Sequence, residues 1–546
     1  MKIFVRAMHA NPSRDNKELV KLLDGLVFPG SLETNAKKMI KFSYNDLPRD
    51  YKTCLLYLSI FPKVEKISRS RVAQRWVVEG LVSKEDRHSS LRQAKRCFDQ
   101  LADRWLVCPA KVSAEGKVKT CTVHDIVRDF ITIRARKQHI MDPRLSQHLA
   151  RHFSVLSNIR LRPSENIINF LMKPSRASSQ LQLLKVLDLE GSRFSNYQQY
   201  LSNVCNMIAL LKFLSLRNTD ITRLPKEINK LQQLEVLDIR QTEYLHVSAI
   251  KLIVLLKLKH LLAGSVDASW TVSTVRMPHK ITRMTALRVL SHVQATEHRA
   301  WELHKLGELW QLRKLGVVID DSRAQLYYLL KGISDLNESL QSLSIEIKPA
   351  STYPTAPDTF LANEARRQKP PKFLESLSIS GFTNYIWLLP LLTSSHDVLT
   401  KVTLQKTTLD QDDMEVLAKL KKLRSLRLRQ ILHIRDQREL LFKEKERDRT
   451  PNNKDKDEEN NCFEALKYLV VEGGGIAKIG FQGRAAHNLE KIVWSSGFTE
   501  MESLSGLRNL PELKEIDFEG GSIPHQEILE AIPKTVHIKL PYCEGP

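Results

Sequence analysis

Two different rhythms of apolar positions divide the chain. From residue 181 onward the phrase L-x-x-L-x-x-L-x-L returns again and again. "LQLLKVLDL" places Leu181, Leu184, Leu187 and Leu189; "IALLKFLSL" places Ile208, Leu211, Leu214 and Leu216; "LQQLEVLDI" places Leu231, Leu234, Leu237 and Ile239. Further copies are "MTALRVLSH", "LWQLRKLGV", "LKKLRSLRL", "FEALKYLVV" and "LPELKEIDF", with weaker ones at "FLESLSI", "VLTKVTL" and "NLEKIVW". Leu187, Leu214, Leu237 and Leu261 follow one another at 27, 23 and 24 residues, within the period of about 20–29 of a leucine-rich repeat. In each unit the last two leucines alternate on a short strand and so point to one side. One unit cannot close a core, but stacked units bury a continuous one. The rhythm therefore predicts an α/β solenoid, a horseshoe of leucine-rich repeats, over 150–546.

Two stretches break that rhythm. One is Pro-rich, "PASTYPTAPDTFLANEARRQKPP", near 349–371; the other lies at 437–461 and holds the charged run "FKEKERDRTPNNKDKDEENN". Both read as loop insertions. Residues flanking the repeat strands, among them Arg217, Asp238, Arg240, Arg427 and Arg429, would project onto a concave face, which in a solenoid is by default a protein-binding surface.

The first 150 residues follow a helical period instead. Helices are expected over 35–48, 49–62, 67–80 and 90–107, the third with Ser68 as N-cap and Gly80 as stop. "LVCPAKVSAEGKVKTCTV" reads as two strands around Glu115-Gly116. "HDIVRDFITIRAR" reads as a further helix with Ile126, Phe130 and Ile133 on its apolar face. Helices followed by a hairpin predict an α+β winged-helix domain over 31–140, ahead of the solenoid, with 1–30 as a remnant or linker helix.

Composition adds charge to this picture. The net charge is +22 over 546 residues, and residues 1–150 alone hold 29 Lys and Arg against 16 Asp and Glu, a net of +13. A basic end attracts nucleic acid, anionic lipid or an acidic protein surface. No run of about 18 apolar residues predicts a membrane span, and seven cysteines without a C-x-x-C pair favour reduced thiols in an intracellular protein, cytoplasmic or nuclear.

The chemistry-bearing motif is "CTVHDIVRDF", with His124 beside Asp125. The pair admits three readings: a hydrolytic base or metal ligand, a phosphate sensor, or a structural pair in which Asp125 caps the following helix. No Ser or Cys partner or second ligand cluster accompanies it, so no enzyme is expected.

"MIKFSYNDLPRDYKTCLLYLSIFPKVEKISRSRVAQRWVVEGLV" resembles the winged-helix part of plant nucleotide-binding leucine-rich-repeat disease-resistance proteins, through Leu47-Pro48, Cys54, Leu58, Phe61-Pro62, Trp76, Glu79 and Gly80. "VHDIVRDF" looks like that family's Met-His-Asp motif with Val123 in place of Met, and "ARHFSVLSN" (150–158) like its entry into the repeats. The resemblance implies a role in plant innate immunity and His124 as a contact to the β-phosphate of ADP, with Asp125 holding the loop. ADP or ATP is the family's ligand. The phosphate-binding loop G-x-x-x-x-G-K-[ST], whose backbone amides cradle phosphate, is absent from this sequence: Gly25 and Gly30 have the glycine spacing, but Ser31-Leu32 follows.

The expectation is thus a truncated receptor that recognises a pathogen effector or a host protein through its repeats, without switching on nucleotide by itself and with no cofactor of its own. A full-length receptor could supply the nucleotide module in trans. Two alternatives stand beside it. "DLPRDYKTCLLYLSIFP" superficially resembles an F-box, which would make the chain a substrate adaptor of a ubiquitin ligase. The basic "SRSRVAQR" and "RQAKR" would suit a winged helix that binds nucleic acid, although apolar faces committed to a core make nucleic acid the less expected partner.

Overall fold

The computed structural model describes residues 2–10, 20, 32–140, 182–348 and 363–540, with breaks at 64, 83–88, 139, 195–197, 243–244, 267–271, 296, 365, 382–387, 394–397, 432, 435–437, 444–461, 496–500 and 521–524. The chain forms two compact units, Met1–His246 and Val247–Pro546.

The first unit begins with helices α1 (Lys2–His9), α2 (Leu32–Asn45) and α3 (Arg49–Tyr57). The last runs into a 3-10 turn, Leu58–Ile60, and stops at Phe61, which is extended ahead of Pro62. Next come β1 (Ile67–Ser68), α4 (Arg69–Glu79), α5 (Ser90–Asp103), β2 (Cys108–Val112), β3 (Val118–Thr122) and α6 (Asp125–Lys137). The strand order is β1-β3-β2, with both pairs antiparallel. This is the winged helix the periodicity predicts, with β1 an addition to the expected hairpin.

Local chemistry explains the joints. Gly80 sits at φ +77°, and Leu81 returns its amide to the Trp76 carbonyl while Gly80 reaches Val77, a left-handed helix stop. The Ser89 hydroxyl accepts from the Arg92 amide at 3.3 Å and starts α5. Trp76, Tyr57, Phe61 and Phe98 fill the middle of the domain.

One face is turned relative to expectation. Val127, Ile131 and Ala135 of α6 are fully in the core, Ile126 and Phe130 pack against its edge half-buried, and Ile133 is 55% exposed. Both sets recur at helical spacing, so period alone could not choose between them. Arg128, buried and donating to the Phe61 carbonyl, goes inward with the Val127 set.

Among the described residues the first unit also holds the repeat strands β4 (Val186–Asp188), β5 (Phe213–Ser215) and β6 (Val236–Asp238), with helix α7 (Gln198–Met207) between the first two. The strands are parallel, and Leu187, Leu214 and Leu237 stand in register in the interior.

In the second unit the parallel ladder runs from His260–Leu262 to His537–Lys539. Leu315, Leu343, Leu377, Val402, Leu426, Leu469, Ile492 and Ile516 occupy one inward row. A second parallel sheet joins Glu439–Phe442, Lys478–Phe481 and Ser503–Ser505. Glu439–Phe442 therefore takes the start of the expected 437–461 loop into a strand. Residues 349–362 and 444–461 of the two expected insertions, the entry phrase 150–158 and all of 1–30 except 2–10 and 20 lie outside the described residues.

No helix among the described residues is long and apolar enough to cross a membrane. Cys54, Cys97, Cys121 and Cys205 are buried thiols.

Candidate functional site

His124 is the N-cap of α6: its Nδ1 accepts from the Ile126 amide at 3.4 Å, a long contact. The cap thus falls one residue earlier than expected. Asp125 is the first helical residue, where a carboxylate favours the N-terminal end of the helix dipole. Both side chains are exposed. The imidazole is thus turned, through Nδ1, towards its own helix. Among the described residues no group of three or more His, Cys, Asp or Glu could hold a metal.

The remaining candidates fall into two clusters, one in each unit. In the second unit, Arg427 and Arg429 stand two apart on the outward side of Ser425–Ile431 and share one carboxylate, Glu472 of the neighbouring strand. Arg429 Nε lies 2.7 Å from Glu472 Oε2, and Arg427 Nε is 3.7 Å from Oε1. Burial, only partly countered by Glu472, and the adjacent Arg427 hold Arg429 below the ordinary arginine range. Both guanidiniums thus approach the same carboxylate, Glu472, and both are part-exposed. Farther along the same ladder Lys491 bridges Glu515 at 2.8 Å and Asp517 at 3.2 Å, and Lys539 also reaches Asp517 at 3.2 Å.

In the first unit, Arg217, Asp238 and Arg240 belong to a larger arrangement that includes residues the sequence reading passed over. Asp238 is buried and holds Arg240 through two bonds, Nε at 2.9 Å and the terminal nitrogen at 2.6 Å. Arg217 donates to Gln241 at 2.7 Å and lies 3.7 Å from Glu190. Beside them, Asp188 at the end of β4 is fully buried; it accepts from the Glu190 amide at 3.3 Å and is met by two cations of the winged helix.

Arg71 of α4 donates through Nε to Asp188 at 2.6 Å, and its terminal nitrogen meets Glu190 at 2.5 Å and Glu65 at 3.4 Å. Arg75, one turn later and also fully buried, lies 3.3 Å from Asp188 and donates to the Tyr57 hydroxyl at 2.8 Å. Burial alone would lower Arg71, but Asp188, Glu190 and Glu65 outweigh it and hold the guanidinium above its ordinary value. Burial also raises the Glu190 carboxyl, with Arg71 pulling the other way. Val78, one turn beyond Arg75, packs on Val186, Phe213 and Val236, the outward aliphatic row of the three strands.

The winged helix is therefore clamped onto the strand face of the first repeats. The clamp was partly visible in the sequence: Arg71 and Arg75 are spaced to share a helix face, and "VLDL" and "VLDI" repeat an acid at the same outward position. Nothing local, however, tells an arginine which acid it will meet 117 residues away.

Residues 60–131 match the family profile described as the disease resistance protein winged helix domain, and residues 164–532, more than half of the chain, match that of a leucine-rich repeat region. The chain belongs to the plant disease-resistance proteins that join a winged helix to leucine-rich repeats. "Disease resistance protein Pik-2" of Oryza sativa subsp. japonica is 29% identical over 536 residues, covering 88% of this chain and 50% of that protein. "Disease resistance protein PIK6-NP" of the same organism is 29% identical, with 93% and 52% covered. "Putative disease resistance RPP13-like protein 3" of Arabidopsis thaliana is 28% identical over 220 residues, 36% of this chain and 25% of that one. The chain spans about half the length of the rice disease-resistance proteins Pik-2 and PIK6-NP.

Proposed function

We propose that this disease-resistance chain is a recognition module that binds a protein, a pathogen effector or a host protein, through the outward strand face of its second unit, and that it does so without nucleotide switching of its own. It acts by binding rather than catalysis, in the cytoplasm or nucleus. The observation that carries the reading is the division of labour along the ladder. In the first unit the outward rows are already engaged, the aliphatic one by Val78 and Asp188 by Arg71 and Arg75. In the second unit the corresponding positions around Arg427, Arg429, Glu472 and Lys491 carry part-exposed charges of both signs, which a charged protein surface can meet.

The same geometry weighs against DNA reading by the winged helix. Its α4 cations Arg71 and Arg75 are held by Asp188, Glu190 and Tyr57, so they are not presented to phosphate. Against a phosphate-sensing role for His124 stands its orientation, with Nδ1 turned to the Ile126 amide of its own helix.

The test is co-immunoprecipitation of the tagged full chain from plant tissue challenged with a pathogen. Arg427→Glu with Arg429→Glu should abolish recovery of the co-purifying protein, while His124→Ala should not change it. Recovery indifferent to the Arg pair would overturn the assignment of the face.

A further inference from the structure

We propose that a second protein-docking surface lies on the winged helix, in the cleft between α2 and α6, and that its occupant is an amphipathic helix with an apolar face and acidic flanks. The surface lies outside the repeats and does not depend on the reading above.

The cleft measures about 740 Å³, the size range of sites that hold a few anchoring side chains. Its floor is the edge of α6 beside the core: Phe130, half-buried and packed against the core, and Ile133, 55% exposed, both line the cleft. An isolated exposed isoleucine is ordinary. Here it continues an aromatic surface inside a concavity, and Thr132 between the two has a buried hydroxyl oxygen with no hydrogen-bond partner among the described residues.

The rim supplies the second half of the argument. Lys37, Lys38 and Lys41 come from α2, and Arg134 and Arg136 from α6, with Asp129 the carboxylate among the described lining residues. Lys37 also pairs with Glu33 one turn before it, at an exposed site where such a pair is weak. Arg134 lies over the Tyr44 and Phe130 rings, 5.3 Å from each, which fixes a cation at the cleft edge. An apolar floor between cationic edges is the complement of a helix whose apolar anchors recur at i, i+3, i+4 and i+7 with Asp or Glu on either side. Nucleic acid presents phosphate but no aliphatic anchor for Ile133, so the floor separates the two kinds of partner.

The experiment is fluorescence anisotropy of the full chain with a labelled helical probe of about five turns, carrying Leu at the anchor spacing and Glu elsewhere. A companion probe carries Lys in place of Glu. The Glu probe should bind, and more weakly as salt is raised. Ile133→Asp and the pair Lys37→Glu with Lys41→Glu should each weaken it at least about tenfold, the factor that 1.4 kcal/mol represents. These positions are exposed, so circular dichroism and the melting temperature should stay at the parent's values, and the charge-reversed pair should gain affinity for the Lys probe. Equal binding of both probes by the parent chain, or binding unchanged by these variants, would overturn the proposal. So would binding confined to phosphatidylserine vesicles or duplex DNA.

Discussion

Arg71 and Asp188 stand 117 residues apart in sequence and 2.6 Å apart in space, joined by a buried charge-assisted hydrogen bond. Asp188 is also the partner of Arg75, so the acid neutralises two guanidiniums that the domain has taken out of water. Removing one member of such a group strands the others. Asp188→Asn is expected to cost the first unit about 3–5 kcal/mol, measured by chemical denaturation. A double-mutant cycle with Arg71→Met should return a coupling of 0.5 kcal/mol or more; additive costs would mean the pair does not interact.

His124 acts on α6 through one long hydrogen bond to the Ile126 amide. Its loss in His124→Ala is expected to cost about 0.5 kcal/mol, the low end for an N-cap. His124→Asn should recover or exceed the parent stability, since Asn is a preferred cap. A melt of the three chains checks both statements; a loss of several kcal/mol in either variant would give His124 a weightier role.

Gly381 follows a repeat strand at φ +106°, and a Cβ there would fall 1.9 Å from the Ile347 carbonyl oxygen. Backbone cannot yield as a flexible side chain would. Gly381→Ala is expected to destabilise the second unit by about 3 kcal/mol or more. Gly116, with the same sign of φ but nothing within 4 Å of a Cβ, should tolerate alanine with a loss of about 1 kcal/mol. Comparable melts for the two variants would refute the steric account.

Asp410 and Asp413 form a reciprocal cap at the start of the helix Gln411–Ala418. Burial first, and then the Asp410 carboxylate beside it, raise the Asp413 carboxyl from 3.8 to about 7. A carboxyl raised on folding contributes stability that is complete below its unfolded value and lost as pH rises through the folded one. The second unit should therefore lose on the order of 1 kcal/mol between pH 6 and pH 8, after discounting for partial exposure. Asp413→Asn keeps an acceptor for the Asp410 amide and should flatten that dependence. Denaturation at the two pH values decides; an equal slope in parent and variant would rule the pair out as its source.

Much of the fold could be read from the chain because repeat leucines are redundant. Each of Leu187, Leu214 and Leu237 says the same thing, and register follows from repetition. The winged-helix elements were legible from stops such as Gly80 and from the Glu115-Gly116 turn. What could not be read depends on a choice between equal faces or on distant pairing. Val127–Ile131 and Ile126–Phe130 have the same spacing, and the core buries the first fully and the second only at its edge. The clamp of Arg71 on Asp188, and the sharing of Glu472 by Arg427 and Arg429, exist only once strands far apart in sequence are stacked.

The central claim is that the chain works through its surfaces and not through a nucleotide held by His124. The most direct measurement is the nucleotide content of the purified full chain, by acid release and chromatography, followed by calorimetric titration with ADP. The account predicts far less than one nucleotide per chain and no saturable heat. One ADP per chain, lost in His124→Ala, would contradict it.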